Sequence, residues 1–527
     1  MKRSLDPGTS LRWARHHVSI APLMLVLMLT AFAVKGVQIA QIHDPFTGHD
    51  EVAHYAYLQI VATEGRVPLI PDPNMWKGPD TVANPAGFDR IPSYFWKYCQ
   101  FSTQDWSGCG DNQCPDSCYL HVDKTDGKII PAGWIYTANH PPLYYMLMAP
   151  LYRLTDHLTP EEQLGWFRLA AIPFGMLTVL FAYLTVRVLF PNDPGNFLAI
   201  TVPAVVAFQP QVSYEAAMLN NDILAIALTS AVIWLTALGL RKRFPVWNSV
   251  VIGATLGFAL LAKTTSISVV ALIAVAMVLG LGWRNWRAWT VRGAITVGVA
   301  ALVAWPWFFF MLRTYGDFTA LKRIHDLQWW NYAEETPPTI RALLVNREFA
   351  WQIWGQTWGG FGWHLIPVSD DLLRRLFAVT LFGAVGLALY VVRICICISR
   401  AGIISPDVQN SANDYRGRWR RRMVSIVRHA GIPIDSAQLV GMLMLGIMLL
   451  VSYAAILQFG TQFQGTQARY AFPAVNAAAI LIMTGVRSWF PCRWLPWIAV
   501  AVIIGLIMLD LDIYRNVVIP WNENHRS

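Results

Sequence analysis

Long apolar runs recur along this chain, and they constrain its fold more than any other feature. Hydrophobic residues make up 55% of the 527 positions, whereas charged residues make up 14%. So small a polar fraction cannot cover the surface of a soluble protein of this size. Apolar runs of roughly 18–25 residues are long enough to cross a bilayer as helices. The sequence therefore predicts an all-α polytopic membrane protein.

We expect eleven spans from the length of these runs and the basic residues between them. The spans are predicted at about 18–42, 166–190, 197–213, 223–240, 246–263, 266–283, 289–312, 373–397, 438–459, 470–487 and 494–513. The first run has no obvious cleavage site and is longer than the apolar part of a signal peptide, so we interpret it as a retained anchor. The net charge of +9 lies in short clusters between the runs, which favours membrane topology over nucleic-acid binding.

The distribution of Lys and Arg predicts the orientation of the chain in the inner membrane. Basic residues precede the first span, which predicts a cytoplasmic N-terminus. The segment 140–154 is interrupted by prolines and has about 12 apolar residues, too few to cross roughly 30 Å of hydrocarbon. We interpret it as a juxtamembrane or re-entrant helix. The later Lys and Arg clusters then fall on the cytoplasmic side, and the polar motifs fall outside.

We expect one membrane domain over residues 1–527 with three long connections. Two of them, 43–165 and 313–372, lie on the outer side and carry short helices. The third, 398–437, is basic and cytoplasmic, where its arginines can bind anionic membrane lipids.

Four cysteines lie close together in the first outer loop: Cys99, Cys109, Cys114 and Cys118. An oxidising compartment permits disulfides there, and four cysteines allow three pairings. The spacing C-x4-C-x3-C is also compatible with a zinc cluster. The predicted outer location favours disulfides.

The acidic pair Asp50-Glu51 follows the first span directly, flanked by His49 and His54. Two adjacent carboxylates can share an ion or an acceptor, and repulsion between them raises one pKa, as a general base requires. Asp50 is also a good N-cap for a helix that begins at Glu51, so capping is the alternative interpretation. The two histidines are five residues apart and do not form the zinc-protease motif.

Further polar motifs lie at other predicted outer helix ends. Asn221 and Asp222 provide a second acidic group, or a helix cap. Lys263, among hydroxyl residues in a short turn, suits a phosphate group, although a lysine at a membrane boundary can also snorkel to lipid headgroups. Arg469 and Tyr470 are a second candidate phosphate contact. Polar groups near membrane depth are costly and mark functional sites.

Tryptophans crowd the second outer loop, and Trp358 and Trp363 flank a glycine-rich run there. Aromatic faces stack on sugar rings, so both residues are candidates for sugar stacking. Tryptophan is also frequent at every membrane interface, which is the alternative.

Six motifs, in order along the chain, resemble the GT-C superfamily of membrane glycosyltransferases, in particular a bacterial group akin to protein O-mannosyltransferases and aminoarabinose transferases. They are DEVAHYAYLQIVATEGRVP, NHPPLYYMLMAPLYRL, FQPQVSYEAAMLNNDILA, GFALLAKTTSI, WGGFGW and QARYAFPA. The resemblance implies an enzyme that takes a hexose or pentose from a polyprenyl-phosphate carrier, inverts the anomeric carbon and passes the sugar to an envelope glycan, lipid or protein.

The resemblance also implies roles for individual residues. Asp50 would be the catalytic base with Glu51 beside it. The positioning of the acceptor or an ion would fall to Asp222, Asn221, His54 and His140. The carrier phosphate would be bound by Lys263, Arg469 and Tyr470. A divalent cation, Mg²⁺ or Mn²⁺, is an open expectation because members of the superfamily differ.

Two other functions stay open on the sequence. A transporter or flippase of a lipid-linked precursor would also be a polytopic protein with buried charges. Transporters usually have inverted repeats and broken helices at the bilayer midplane, and no such pairing is visible in the sequence. A non-catalytic assembly factor is the remaining alternative.

Overall fold

The structure, a computed structural model, is almost entirely helical. It describes residues 20–72, 88–95, 98, 120–122, 129–131, 133–327, 337–362, 365–403, 436–463 and 466–525. The four loop cysteines, Trp363 and most of the basic loop lie outside these residues.

The helices follow one another along the chain, with two short antiparallel strand pairs between them. The α-helices are α1 Ile20–Ile42, α2 Glu51–Glu64, α3 Leu143–Leu154, α4 Pro160–Leu189, α5 Phe197–Phe208, α6 Pro210–Ala216, α7 Asp222–Lys242, α8 Val246–Ala262, α9 Val269–Leu281, α10 Trp286–Tyr315, α11 Leu321–Leu327, α12 Ile340–Val345, α13 Arg347–Gly359, α14 Asp370–Ile403, α15 Ser436–Gly460, α16 Val475–Ser488, α17 Leu495–Ile513 and α18 Ile519–His525. The strands are β1 Leu120–Val122 with β2 Ile129–Pro131, and β3 Gly360–Phe361 with β4 Ile366–Pro367.

Within the described residues, nine helices are long and apolar enough to cross a membrane, and the bent pair α5–α6 gives a tenth. Helices occupy all eleven predicted spans, but the span at 197–213 is divided between α5 and α6, and α8, with 17 residues, is not among the nine. The all-α polytopic fold is therefore confirmed, whereas the count of eleven is not. The proline-interrupted segment forms α3, a helix of 12 residues, in agreement with its predicted short length.

A break in the chain between α5 and α6 was not predicted, because the sequence was interpreted there as one span. The two helices are inclined by 63° at Gln209, which has extended backbone angles. Pro210 causes the break: it has no N–H for the helix ladder, and its ring pushes the preceding residue out of the helical region. The break turns α6 toward the loop that carries Asp50.

Four helix ends meet around that loop. The end of α1 leads into it, α4 packs beside α1, and α7 begins directly opposite with Asp222. A short 3₁₀ helix, Ala468–Ala474, leads into α16 and contacts α7 and α15. We call this end of the bundle the Asp50 end; the turn between α9 and α10 lies at the opposite end.

Candidate active site

Four buried charged side chains from separate segments form an alternating network at the Asp50 end. The Lys263 ammonium donates a hydrogen bond to Oδ1 of Asp222. Nη1 of Arg469 lies 3.5 Å from Oδ2 of Asp222, and Nη2 of Arg469 donates to Oδ2 of Asp50. Each of these side chains is 5–8% exposed. We call these four residues the charge network.

Several buried polar atoms in and beside the charge network lack a hydrogen-bond partner among the described residues. They are Oδ1 of Asp50, Oδ2 of Asp222, Nε and Nη1 of Arg469, Oδ1 of Asn221 and Nδ1 of His140. Buried polar atoms are nearly always hydrogen bonded in folded proteins, and each unsatisfied one costs about 1–3 kcal/mol. A concentration of them in one place is typical of a site that binds a polar ligand.

Asp50 is held in a conformation that suits a reacting group better than a cap. Its backbone is left-handed, with φ of 59°, and its side chain makes no capping hydrogen bond to α2. It is directed to Arg469 instead. The capping alternative therefore does not describe this carboxylate. Burial acts to raise the pKa of Asp50, but the charges of Arg469 and His54 more than offset it, so the pKa lies below its ordinary value.

Glu51, one residue later, has a different environment. Its side chain is fully buried and accepts hydrogen bonds from Nε and Nη2 of Arg168, at 2.9 and 2.6 Å. It also accepts from the backbone N–H groups of Gly48 (3.0 Å) and Leu219 (2.9 Å). Both of its oxygens are thus engaged in internal contacts.

Arg168, on α4, joins three parts of the site and had no place in the sequence-based prediction. Besides its two bonds to Glu51, it donates to the carbonyl oxygens of Ala40 (3.1 Å), His43 (2.7 Å) and Asp44 (2.9 Å). It therefore caps the C-terminal end of α1 and fixes the loop that carries Asp50. The only sequence signal was an arginine inside an apolar span, where a charge needs a partner.

Two neutral histidines and a tyrosine line the side of the network next to α3. Nδ1 of His54 lies 2.7 Å from the hydroxyl of Tyr145, and the rings of His54 and His140 are 5.7 Å apart. Burial lowers the pKa of His54 to about 4 and that of His140 well below its ordinary value. Near neutral pH both imidazoles are uncharged and can exchange hydrogen bonds with a hydroxyl group.

The two asparagines before α7 make different contacts. Oδ1 of Asn220 accepts from the backbone N–H of Ile223 at 3.2 Å, so the capping contact belongs to Asn220. Nδ2 of Asn221 instead donates to the carbonyl of Ala262 at 2.8 Å and ties α7 to the segment that presents Lys263.

Lys263 and the aromatic ring next to Arg469 are also in contact. The Lys263 ammonium is 5.3 Å from the centre of the Tyr470 ring, and the Arg469 guanidinium carbon is 5.9 Å from it. Because Lys263 is buried and paired with Asp222, it does not snorkel outward in this structure. The three predicted phosphate-binding residues therefore lie together.

Trp358 lies apart from this arrangement, in an apolar cluster. Its ring is 5.7 Å from that of Trp354, and both pack against a core that includes Phe361 and Tyr514. Its role in sugar stacking stays a prediction.

Helix α6 carries a second buried polar group, which sequence reasoning also missed. Oε1 of Glu215 lies 3.2 Å from Nδ1 of His49 and accepts from Nε2 of Gln211 at 3.1 Å. Oε1 of Gln211 in turn accepts the N–H of Gly360 at 2.8 Å, and the Tyr214 hydroxyl accepts the N–H of Gly362 at 3.0 Å. Helix α6 thereby connects the loop between α1 and α2 to the β3–β4 hairpin.

The residues present do not fit a divalent cation in the charge network. The two carboxylates that face each other, Asp50 and Asp222, are already bridged by Arg469, and Lys263 occupies a further carboxylate oxygen. Within the described part of the chain, no three His, Cys, Asp or Glu side chains are grouped to hold a metal ion.

Comparison with known proteins links part of the chain to one family. The sequence model of the family described as dolichyl-phosphate-mannose-protein mannosyltransferase matches residues 139–310. This segment contains Arg168, Asp222 and Lys263. No curated protein sequence matches the chain significantly.

Solved structures of two kinds resemble the fold at low identity. ArnT from Cupriavidus metallidurans, bound to undecaprenyl phosphate, is 15% identical with a TM-score of 0.44, over 94% of this chain and 73% of that one. The apo oligosaccharyltransferase of Archaeoglobus fulgidus is 12% identical with a TM-score of 0.48, over 94% of this chain. The chain spans 56% of the length of that oligosaccharyltransferase. Over residues 139–310, the family match bears out the resemblance to GT-C membrane glycosyltransferases that the sequence motifs indicated.

Proposed function

We propose that this protein is an integral-membrane glycosyltransferase that moves a sugar from a polyprenyl-phosphate-linked donor to a cell-envelope acceptor on the extracytoplasmic face, with inversion at the anomeric carbon. The observation that carries the proposal is the charge network: two buried carboxylates alternate with two buried cations, and atoms of Asp50 and Arg469 lack hydrogen-bond partners among the described residues. A base and an anion-binding pair are the two elements that transfer from a lipid phosphate requires.

Asp50 is the proposed base. Its Oδ1 has no hydrogen-bond partner among the described residues, and its depressed pKa keeps it ionised across the physiological range. It accepts the proton of the acceptor hydroxyl as that oxygen attacks the anomeric carbon. The left-handed backbone holds the carboxylate away from α2 and toward the charge network. The neutral imidazoles of His54 and His140 orient the acceptor.

Arg469 and Lys263 are the proposed ligands of the donor phosphate. The bond between the anomeric carbon and the phosphate oxygen breaks with its electron pair going to that oxygen. Within the described part of the chain, Nε of Arg469 is buried without a hydrogen-bond partner and Nη1 has an ion pair with Asp222 at 3.5 Å, and guanidinium groups bind phosphate oxygens in pairs. Direct attack from the side opposite the phosphate inverts the configuration. Asp222 keeps both cations in position.

Glu51 is proposed as a positioning residue instead of a second catalytic carboxylate. Its hydrogen bonds to Arg168 and to two backbone N–H groups use both oxygens. Through these contacts it anchors the turn that presents Asp50.

The experiment is transfer by purified full-length protein from a panel of radiolabelled polyprenyl-phosphate sugars to cell-envelope extract, beside its Asp50→Asn variant. Asparagine tolerates the left-handed backbone, so the variant changes the charge with little strain. Asp193→Asn is the matched control, because Asp193 pairs with Arg487 away from the Asp50 end.

We expect label to move from lipid to product with the parent and with Asp193→Asn, and transfer to fall at least about 100-fold with Asp50→Asn. Full activity of Asp50→Asn would overturn the assignment of the base. Movement of unchanged donor across proteoliposomes, without transfer, would favour a flippase.

A further inference from the structure

Glu215 is a fully buried carboxyl group whose partners differ from those of the other site carboxylates. Its Oε1 lies 3.2 Å from Nδ1 of His49 and 3.1 Å from Nε2 of Gln211. Its Oε2 accepts from Nδ2 of Asn220 at 3.2 Å. Its close partners are thus two amides and one imidazole. We call His49 and Glu215 the His49–Glu215 pair.

The three other buried carboxylates at this end each contact a permanent cation. Glu51 pairs with Arg168, Asp50 pairs with Arg469, and Asp222 pairs with Lys263. Among the salt-bridge contacts of the described residues, the basic side chain next to Glu215 is His49, which carries a positive charge when it holds a proton. Imidazole is the side chain whose charge ordinarily changes between about pH 5 and 8.

The charges at this end of the bundle are unequal without that proton. Among the buried side chains that the structure describes here, the four carboxylates Asp50, Glu51, Asp222 and Glu215 lie beside three permanent cations, which leaves one negative charge among these groups. Net buried charge is costly in a low-dielectric environment. An arriving phosphate group adds further negative charge, so it increases the free energy gained by binding one proton nearby.

We propose that the His49–Glu215 pair is a proton-binding site that takes up one proton when the phosphate of a polyprenyl lipid joins the charge network. The inference rests on the proposed function, because it requires phosphate at Arg469 and Lys263. Proton uptake makes His49 an imidazolium paired with the Glu215 carboxylate, and it compensates part of the charge that the lipid brings in.

The groups that face the pair are committed elsewhere. Asp50, on the same loop, is hydrogen bonded to Arg469, whose charge also acts on Glu215. His43 faces His49 from the end of α1, and burial, reinforced by the charge of Arg168, lowers its pKa to about 3. The Tyr214 ring on α6 lies 5.6 Å from that of His49, and its hydroxyl accepts the N–H of Gly362. We therefore assign the proton to the pair, in which an imidazole and a carboxyl group lie 3.2 Å apart.

The test is calorimetric titration of the purified full chain in detergent with polyprenyl monophosphate at pH 7. Each titration is run in two buffers with different ionisation enthalpies, so that the difference in heat gives the protons bound per lipid. Glu215→Gln and His49→Gln each remove one member of the proposed proton-binding pair, whereas Asp193→Asn repeats the acid-to-amide change away from the Asp50 end. Thermal unfolding of each variant reports its folding independently.

We expect about one proton taken up per lipid by the parent and by Asp193→Asn, and a small fraction of that by either pair variant. The same uptake in Glu215→Gln or in His49→Gln would overturn the inference. Lipid binding by the parent without proton uptake would overturn it while the proposed function stands. Failure of the parent to bind the lipid at all would overturn both.

Discussion

Asp50 and Glu51 are neighbours in the sequence, yet their side chains have different hydrogen-bond partners. One carboxylate keeps an unsatisfied oxygen beside Arg469, and the other is closed off by Arg168 and two backbone N–H groups. Asp50 and Glu51 can therefore be distinguished by experiment, because loss of the proposed base and loss of a buried ion pair have different consequences.

We expect the main effect of Glu51→Gln to be a lower free energy of unfolding, with a smaller effect on the rate of the chemical step. Breaking one partner of a buried ion pair costs about 3–5 kcal/mol, since it leaves the Arg168 charge uncompensated. Thermal unfolding in detergent measures this, with Glu162→Gln on the exposed first turn of α4 as the control. An unfolding temperature equal to that of the parent would contradict the positioning role.

Substitution of Arg469 should move the acidic limb of the activity profile. Burial raises the pKa of Asp50, and the Arg469 charge is the largest influence that lowers it. In Arg469→Gln the arginine charge no longer opposes the effect of burial, so the pKa of Asp50 rises. Activity that needs the ionised carboxylate is then lost at a higher pH.

The measurement is kcat/KM against pH for the parent, Arg469→Gln and the control Arg487→Gln, which alters a pair at the other end of the bundle. Lower activity of Arg469→Gln is expected from the lost phosphate contact, but it does not affect where the limb lies. A limb at the same pH in both arginine variants would show that Arg469 does not control Asp50.

Sequence reasoning located Asp50, Asp222, Lys263 and Arg469, because each lies at the end of an apolar run. A charged group near membrane depth is costly there unless it has a function or a partner. It missed Arg168 and Glu215, which lie inside helices. Their partners are far away in the chain, for example 117 residues between Arg168 and Glu51. Nor could it separate Asp50 from Glu51, since adjacent residues differ only in the direction of their side chains, which the tertiary fold decides.

At the level of elements, the break between α5 and α6 lets α6 connect the loop before α2 with the β3–β4 hairpin. Gln211 and Tyr214 project from α6 to the backbone N–H groups of the β3–β4 hairpin. A straight helix through this region would not turn these side chains toward the hairpin.

We expect Gln211→Ala to loosen the hairpin while α6 itself stays folded. The Gly360 N–H then loses its acceptor, and one hydrogen bond of about 0.5–1.5 kcal/mol corresponds to roughly 2–10-fold faster amide exchange. Hydrogen–deuterium exchange of peptides covering 356–362 measures the change, and peptides from α10 serve as the internal control. Unchanged exchange at Gly360 would contradict the connection.

The spans were predictable because about 20 apolar residues leave a chain few alternatives in lipid. The break between α5 and α6 was not predicted, although Pro210 marks its position, because proline inside a membrane helix is often tolerated. The same structure contains Pro173 within α4 and Pro306 within α10 without a break. Whether a proline bends a helix depends on what its neighbours supply, and a single sequence does not contain that information.

At the scale of the whole molecule, a buried ion pair joins the first and last long helices. Nζ of Lys35 in α1 lies 3.1 Å from Oδ2 of Asp510 in α17, and it also donates to the carbonyl of Ala207 at 2.8 Å. Ala207 precedes the break between α5 and α6, so Lys35 also donates a hydrogen bond to a backbone carbonyl at the C-terminal end of α5.

We expect Asp510→Asn to destabilise the protein by about 3–5 kcal/mol, because Lys35 keeps its charge without a counter-ion. The double variant Lys35→Met with Asp510→Leu removes both charges and should recover much of that loss. Unfolding in detergent of Lys35→Met, Asp510→Leu and the double variant gives the coupling energy. Additive losses would contradict a paired role.

The proposed orientation also gives a prediction for the intact membrane. The turn at His157, between α3 and α4, belongs to the Asp50 end, and the turn at Arg284 belongs to the opposite end. A protease site inserted after His157 should be cut by protease added to spheroplasts, whereas one inserted after Arg284 should be cut only after lysis. The reverse pattern would place the charge network on the cytoplasmic side.

The pair between Lys35 and Asp510 has a consequence for biosynthesis. The lysine leaves the ribosome with the first span, and its aspartate partner follows only after nearly all the other helices have been made. Until Asp510 is made, the Lys35 ammonium lacks the carboxylate that pairs with it in the folded protein, at a cost in free energy. Chains that stop before Asp510 retain this uncompensated charge. Completion of synthesis and closure of the bundle are therefore coupled, and we expect truncated chains to be recognised by membrane quality control.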